Sequence, residues 1–201
     1  MSPVPARFLL FDATGEGWPK VRLPQVVFAG RSNVGKSSLL NALTGNSRLA
    51  RTSKTPGRTR GIVFFEVDRE GAFADLPGYG YAKVSQAERE SWRRLVEGYL
   101  KGCDRIRKVY LLVDIRRGPE AEERDLAAFL ESLSIPYGWV ATKADKAGRG
   151  EIPLLLARFA PSGKGASAGG GAPIPVSCRT KSGIDQLWKD IRAALRPPAR
   201  R

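Results

Sequence analysis

The chain of 201 residues suits one domain of ordinary size, and its 42% hydrophobic residues can form a buried core, which argues against a disordered protein. Its 34 lysines and arginines exceed its 20 aspartates and glutamates, and the net charge of +14 attracts polyanions such as nucleic acid or an anionic membrane. The absence of histidine excludes histidine-based triads and general bases, and the two cysteines, Cys103 and Cys178, provide neither a disulfide framework nor a zinc motif.

The N-terminal region contains one short apolar run, Phe8-Leu9-Leu10-Phe11. The run is too short for the core of a signal peptide, and no later segment approaches the length of a membrane span. We therefore expect a reduced, cytoplasmic protein that does not associate with membranes. The chain is expected to divide into an N-terminal tail (1–20), one nucleotide-binding domain (21–196) and a basic C-terminal tail (197–201).

Hydrophobic patterning predicts strands and helices that alternate along the chain. The first strand, Val26 to Ala29, leads through a glycine-containing loop to a helix from Lys36 to Leu43, which closes near Gly45. The later predicted elements, in chain order, are strands at 62–67 and 72–75, a helix at 85–100, a strand at 109–114, a helix at 120–133, a strand at 137–142, a short helix at 152–159, a strand at 174–177 and a helix at 183–195. This alternation predicts an α/β fold with a mostly parallel sheet and helices on both faces. The Gly-, Ala- and Ser-rich stretch 160–173 reads as a surface loop.

A complete phosphate-binding loop motif follows the first strand. Its sequence is Gly30-Arg31-Ser32-Asn33-Val34-Gly35-Lys36-Ser37, with Ser38 directly after it. Glycines let backbone N–H groups converge on phosphates, and the helix that begins near Lys36 adds its positive N-terminal end. Lys36 places a charge on the phosphates, and the Ser37 hydroxyl is a ligand for Mg2+. The motif predicts a P-loop NTPase fold but does not distinguish GTP from ATP.

Two later segments resemble the guanine-reading elements of the GTPase superfamily. Thr142-Lys143-Ala144-Asp145 follows a predicted strand, and a carboxylate at Asp145 can accept hydrogen bonds from both the ring N–H and the amino group of guanine. Adenine offers no such pair of donors. The aliphatic stem of Lys143 can lie along the base. Ser177-Cys178-Arg179 follows the last strand, where the superfamily reads the guanine oxygen through backbone N–H groups.

The segment Asp75-Leu76-Pro77-Gly78 resembles the Asp-x-x-Gly element of the same superfamily, although by itself it is better explained as an Asp-x-Pro-Gly turn. The resemblance implies that Asp75 holds Mg2+ through a water molecule and that the Gly78 N–H senses the γ-phosphate. The preceding loop contains Pro56, Gly57, Arg58 and Thr59, and we expect a threonine of this loop to reach the Mg2+ ion when a γ-phosphate is present. Thr59 is the preferred candidate, and Thr55 is the alternative.

The chain as a whole is similar to the EngB (YsxC/YihA) family. The similarity spans residues 20 to 195, and its most specific part is the run Pro77-Gly78-Tyr79-Gly80-Tyr81-Ala82-Lys83-Val84. The resemblance implies a small-GTPase-like protein that binds GTP and GDP and acts in assembly of the large ribosomal subunit, with a link to cell division. The implied partners are the large-subunit precursor and ribosomal RNA, and we expect a monomer. The Ser-Cys-Arg sequence departs from the family pattern, so only backbone contacts are assigned there.

No catalytic residue is assigned, because Tyr79 occupies the position of the glutamine that orients the attacking water in many GTPases. Intrinsic hydrolysis is therefore expected to be slow, with a partner or a cation completing the site. Asn33 is a candidate ligand for potassium; alternatively, it only shapes the loop. The loop before Thr59 is basic. Its positive charges either bind RNA phosphates or neutralise the phosphates of the nucleotide. The sequence leaves two functions open: a GTPase that acts as a switch, or a scaffold for ribosomal RNA in which the bound nucleotide is mainly structural. Asp145 argues against a third function, that of an ATPase or kinase.

Overall fold

The computed structural model describes residues 4–50, 61–79, 86–160 and 170–196. Predictions that concern residues 51–60, 80–85, 161–169 and 197–201 lie outside the described residues. These include Pro56, Gly57, Arg58 and Thr59, most of the Gly-rich stretch and the C-terminal tail.

The described residues form seven strands and five α-helices. The strands are β1 (Ala6–Asp12), β2 (Gln25–Gly30), β3 (Ile62–Val67), β4 (Gly71–Asp75), β5 (Ile106–Asp114), β6 (Tyr137–Thr142) and β7 (Ile174–Pro175). The helices are α1 (Lys36–Thr44), α2 (Gln86–Gly102), α3 (Ala121–Ser132), α4 (Ile152–Ala157) and α5 (Ile184–Leu195). Short 3-10 helices span Trp18–Lys20 and Ala144–Lys146.

All seven strands belong to one sheet, in the order β1-β3-β4-β2-β5-β6-β7. Strand β3 pairs antiparallel with β1 and β4, and the remaining pairs are parallel. The predicted α/β fold with a mostly parallel sheet is thereby confirmed. Within the described residues, no helix combines the length and apolar character needed to cross a bilayer.

Helices cover both faces of the sheet and create two hydrophobic clusters. One cluster joins β2 and β3 to α1 and α5 through Leu39, Leu43 and Trp188. The other joins the opposite face to α2 and α3 through Tyr99 and Leu130. Because both faces are covered, the central strand β2 is buried along its entire length.

The prediction of a tail over residues 1–20 is wrong for residues 6–12, because they form the edge strand β1. Ala6 to Asp12 pairs with β3, and Val4 just before the strand is also buried. A β-bulge between Phe8 and Leu10 interrupts the alternation of inward and outward side chains, so the strand lacks the regular pattern that a sequence reading relies on. The N-terminal residues therefore belong to the sheet.

The last strand is shorter than predicted. Strand β7 ends at Pro175, whereas the sequence suggested that it continues to Ser177. The Ser177 N–H instead donates to the carbonyl of Ser182, within the loop that leads to α5. The residues expected near the guanine base consequently lie in a loop.

Candidate nucleotide site

The sequence-predicted elements meet at one edge of the sheet. Gly30, Asp75, Asp114 and Thr142 are the last residues of β2, β4, β5 and β6. These strands are parallel and in register, with Asp114 opposite Thr142 and Gly30 opposite Leu112. Ligands of open α/β sheets bind outside the carboxyl ends of the strands, and the candidate residues gather there.

The phosphate-binding loop connects β2 directly to α1. A Cβ atom on Gly30 would lie 2.9 Å from the carbonyl oxygen of Leu112, so only glycine fits this position. Asn33 and Gly35 have φ values of 65° and 109°, and these two left-handed residues turn the chain into the first turn of α1. The first N–H groups of a helix have no intrahelical acceptors and, together with the helix dipole, favour an anion.

Lys36 and Asp75 form a salt bridge at the mouth of this loop. Their side chains are only 12% and 5% exposed, and the Lys36 ammonium also donates to the carbonyl of Leu76 at 2.6 Å. The phosphate-binding lysine and the candidate metal-binding aspartate are therefore neighbours, and Ser37 follows in the same turn of α1. A carboxylate and a hydroxyl are hard oxygen donors, so the pair fits Mg2+. The described residues contain no group of three or more Cys, Asp or Glu ligands that could hold a metal unaided, and so phosphate and water oxygens would complete its shell.

The segment after Asp75 touches the phosphate-binding loop through its backbone. The Ser32 N–H donates to the Tyr79 carbonyl at 2.9 Å, and Arg31 and Tyr79 form a parallel bridge. A Cβ atom on Gly78 would lie 3.1 Å from the Ser32 hydroxyl oxygen. Glycine at this position allows the two segments to approach closely, which is the arrangement expected for a backbone sensor of phosphate.

The Tyr79 side chain lies against α2 and α3. Its ring contacts Trp92 edge-on, with 5.7 Å between ring centroids, and its buried hydroxyl has no hydrogen-bond partner among the described residues. Burial, followed by the nearby charge of Glu123, raises the pKa of this phenol far above its ordinary value. Tyr79 therefore stays neutral at physiological pH.

Lys143 lies across the phosphate-binding loop. Its ammonium donates to the Asn33 carbonyl at 2.9 Å and lies 3.2 Å from the Asp114 carboxylate. Its Cε is 4.0 Å from the position of a Cβ on Gly35, so the aliphatic stem covers the loop. These contacts hold the apolar stem of Lys143 in place, and its support of the base stays a prediction.

Asp114 is a site residue that the sequence analysis missed. Its carboxylate accepts hydrogen bonds from Arg116 at 3.0 and 2.6 Å, and these bonds, followed by the contact with Lys143, hold its pKa well below the usual range. The available signal was an acidic residue at the end of a buried strand, followed by Arg116 and Arg117. Because Asp114 stays ionised, it anchors Lys143.

Asp145 is exposed and accepts a hydrogen bond from the Ser177 hydroxyl at 2.6 Å, which lowers the pKa of its carboxyl. Sequence reasoning gave Ser177 only a backbone role, whereas its buried side chain orients Asp145. The neighbouring Cys178 thiol stays protonated at neutral pH, since burial and then Asp145 raise its pKa to about 11. Thr142 donates to the Val34 carbonyl at 2.8 Å and ties the two nucleotide elements together.

Arg31 pairs with the N-terminal end of α3. Its guanidinium lies 2.5 Å from the Glu120 carboxylate and 3.6 Å from that of Glu122. The sequence placed Arg31 in the phosphate-binding loop but gave no sign of partners some 90 residues away. In the structure, this side chain connects the loop to α3.

Comparison with known proteins agrees with this geometry. Residues 25–143 match the model of a family described as 50S ribosome-binding GTPase. The chain is 42% identical to a probable GTP-binding protein EngB of Anaeromyxobacter dehalogenans, across 94% of this chain and 92% of that protein. It is 48% identical to its counterpart in Streptococcus pyogenes, across 73% of each chain.

Solved structures show the same relationship. A crystal structure of a probable GTP-binding protein engB superimposes with a TM-score of 0.64 at 26% identity, covering 85% of this chain and 98% of that one. The structure of Era in complex with MgGDPNP and nucleotides 1506–1542 of 16S ribosomal RNA superimposes with a TM-score of 0.61 at 21% identity, covering 90% of this chain and 59% of Era. This similarity shows a shared fold. The chain belongs to the EngB family and is a GTPase that hydrolyses GTP to GDP and phosphate.

Proposed function

We propose that the protein is a GTP-dependent switch in assembly of the large ribosomal subunit. The observation that carries the proposal is the match of residues 25–143 to a family described as binding the 50S ribosome. The surplus of positive charge supports it, because a particle rich in RNA attracts a protein with a net charge of +14. We further propose that the protein is cytoplasmic and works as a monomer. The described residues contain nothing that bears on cell division, so the proposal is confined to the ribosome.

GTP and GDP would be held by the elements already described. The phosphates would lie against the loop from Gly30 to Ser38, and the base would lie beside Lys143 and Asp145. Mg2+ would be bound by the Ser37 hydroxyl and, through water, by Asp75, with Thr59 as the proposed ligand from the basic loop. The ion supplies positive charge to the β- and γ-phosphate oxygens.

Intrinsic hydrolysis is proposed to be slow. Tyr79 points its hydroxyl towards α3, and the chain has no histidine to act as a general base. Turnover would then depend on added positive charge near the transferred phosphate, supplied by a ribosomal partner or by potassium held at Asn33.

Co-sedimentation with large ribosomal subunits tests the proposal. The protein is mixed with subunits or their precursors in the presence of GDP or a non-hydrolysable GTP analogue, and GTP turnover is measured in matched samples. We expect binding in the triphosphate form and faster turnover on the particle. Binding with unchanged turnover would identify the scaffold alternative, and equal absence of binding with both nucleotides would refute the ribosomal role.

A further inference from the structure

Two exposed aromatic rings lie close together on the edge strand β1. Phe8 is 53% exposed and Phe11 is 45% exposed. Phe8 contacts Phe65 only at its edge, with 6.4 Å between ring centroids. The third exposed large apolar side chain of the described residues, Leu154, lies in α4. The rings of Phe8 and Phe11 are therefore available for contact with a partner.

The β-bulge of β1 places both rings on the same side of the sheet. Residues three apart in a regular strand point to opposite faces, but the register shift between Phe8 and Leu10 adds one residue. Phe8 consequently lies opposite Phe65 and Phe11 opposite Val63, and both of these partners face the cluster beneath α1 and α5. The β-bulge thus places two exposed aromatic rings on one side of the strand.

A groove with cationic neighbours lies next to Phe8 on the same side of the sheet, because its lining residue Ala6 is two positions from Phe8 on β1. It lies between residues 4–6 and 44–48 and includes the exposed Arg48. Arg192 of α5 stacks over Trp188 and lies 3.9 Å from Asp68, whose N–H donates to the carbonyl of Pro5 at the groove. Rings, groove and cations form one surface, which we call the β1 face (Phe8, Phe11, Arg48, Arg192 and the groove).

The charge of the chain is distributed unevenly along the sequence. Residues 86–132, which include α2 and α3, carry ten acidic and ten basic residues, so the whole surplus of +14 lies in the rest of the chain. The segment 51–60 contains four basic residues and no acidic one. It begins after Ala50, in the cluster beneath α1 and α5, and ends at Gly61, where a Cβ would lie 2.7 Å from the Phe11 ring. The two described residues that flank this segment, Ala50 and Gly61, therefore lie on the side of the sheet that carries the β1 face.

We infer that the β1 face binds single-stranded RNA, with bases stacked on Phe8 and Phe11 and phosphates neutralised by Arg48 and Arg192. Stacking of bases on aromatic rings within a positively charged groove is a general mode of single-strand binding that does not require sequence recognition. A protein partner fits less well, because two separate rings bordered by cations do not form a continuous apolar patch. The inference rests on the proposed function and extends it by naming the RNA-contacting surface.

Fluorescence anisotropy with a labelled single-stranded oligouridine tests the inference on the full chain. The Phe8→Leu/Phe11→Leu variant keeps apolar side chains on β1 but removes both rings. We expect its affinity to fall by roughly 30-fold, from about 1 kcal/mol per stacked base. Phe8→Tyr/Phe11→Tyr, which retains the rings, should bind like the wild type. Leu154→Ala is the matched control for loss of an exposed apolar side chain and should also bind normally.

The salt dependence of RNA affinity distinguishes the contribution of base stacking from that of phosphate neutralisation. The leucine variant should retain the wild-type slope of log affinity against log salt, whereas Arg48→Ala should reduce that slope by about 0.7. Unchanged GDP affinity and circular dichroism verify the fold. Affinity of the leucine variant for the oligouridine within twofold of that of the wild type would overturn the inference. Large-subunit binding that persists in that case leaves the proposed function intact, whereas a wild type that does not bind subunits refutes the function itself.

Discussion

Lys36 shows how one side chain can serve both the site and the fold. Its ammonium neutralises Asp75, which is 4% exposed, and also satisfies the carbonyl of Leu76. Phosphates that enter the loop compete for the same ammonium group. Substitution of Lys36 therefore affects nucleotide binding and also leaves a buried carboxylate without its partner.

Lys36→Ala should abolish nucleotide binding and also destabilise the nucleotide-free chain by roughly 3 kcal/mol, the cost of an unpaired buried charge. Lys36→Ala/Asp75→Asn should recover most of that stability but not the binding. Ser37→Ala is the control, because it removes a proposed ligand of Mg2+ without unpairing a charge. Urea unfolding and GDP titration measure both effects. Equal stability of Lys36→Ala and Ser37→Ala would show that the salt bridge contributes little.

Asp145 is the residue that we propose determines the choice of base. The wild type should prefer GTP and GDP strongly over ATP, because adenine lacks the donor pair that the carboxylate accepts. Asp145→Asn should weaken guanine nucleotides and strengthen xanthine nucleotides, since an amide can donate to the additional oxygen of xanthine. Competition binding with GDP, XDP and ATP measures this change. Competition by ATP equal to that by GTP in the wild type would contradict the assignment.

Two roles are open for Asn33, shaping the phosphate-binding loop and binding a cation, and a variant can distinguish them. Its φ of 65° suits asparagine, its carbonyl accepts from Lys143, and its side chain is exposed. If its side-chain oxygen holds potassium, GTP turnover should be faster in potassium than in sodium at equal ionic strength. Asn33→Gly retains the left-handed conformation but lacks that oxygen, so it should lose the difference and keep near-normal GDP affinity. Persistence of potassium stimulation in Asn33→Gly would leave Asn33 with a role in loop shape alone.

At the scale of elements, β1 depends on the residue that ends it. The Asp12 carboxylate accepts hydrogen bonds from the backbone N–H groups of Thr14, Gly15, Gly17 and Trp18. Burial raises the pKa of this carboxyl, but the four bonds together outweigh burial and the pKa is lowered. Asp12 therefore shapes the turn that connects β1 to the 3-10 helix.

Asp12→Asn should lower the urea midpoint at neutral pH, because the ionised carboxylate binds backbone N–H groups more strongly than an amide does. A depressed pKa stabilises the fold above the unfolded-state value of about 3.9, and this contribution disappears as the pH falls through the folded-state pKa. The difference between wild type and variant should therefore shrink as the pH approaches 3. Asp104→Asn, at a residue whose side chain is 87% exposed, is the control and should show no such trend. A constant difference across this range would exclude the charge of Asp12 as its source.

The elements that sequence reasoning located well are the ones whose signals are local. Gly30 to Ser37 is a contiguous motif, and its strand-loop-helix context follows from neighbouring residues. Strand β1 was missed because its evidence is pairing with β3, more than 50 residues away, and because the bulge obscures its alternation. The bond between Ser177 and Asp145 was missed for the same reason, since it depends on tertiary structure.

At the scale of the whole molecule, the positive charge of the chain is unevenly distributed. The segment 86–132 has no net charge, and the surplus of +14 lies in the remaining segments, including the basic stretch 51–60. Long-range attraction depends on total charge, but the salt dependence of a bound state counts the phosphate contacts actually made. These two quantities can be measured separately.

Association with large ribosomal subunits should weaken steeply with salt. Changing Arg51, Lys54 and Arg58 together to Ala should reduce the log–log slope by about 2, at roughly 0.7 to 0.9 per phosphate contact, if this segment binds RNA. The control removes the same charge from the neutral region through Arg93→Ala, Lys101→Ala and Arg105→Ala, and it should leave the slope nearly unchanged. Sedimentation across a salt series in the presence of a GTP analogue measures both. Because the two variants have the same net charge, equal slopes would show that the overall field, and not contact by this segment, controls binding.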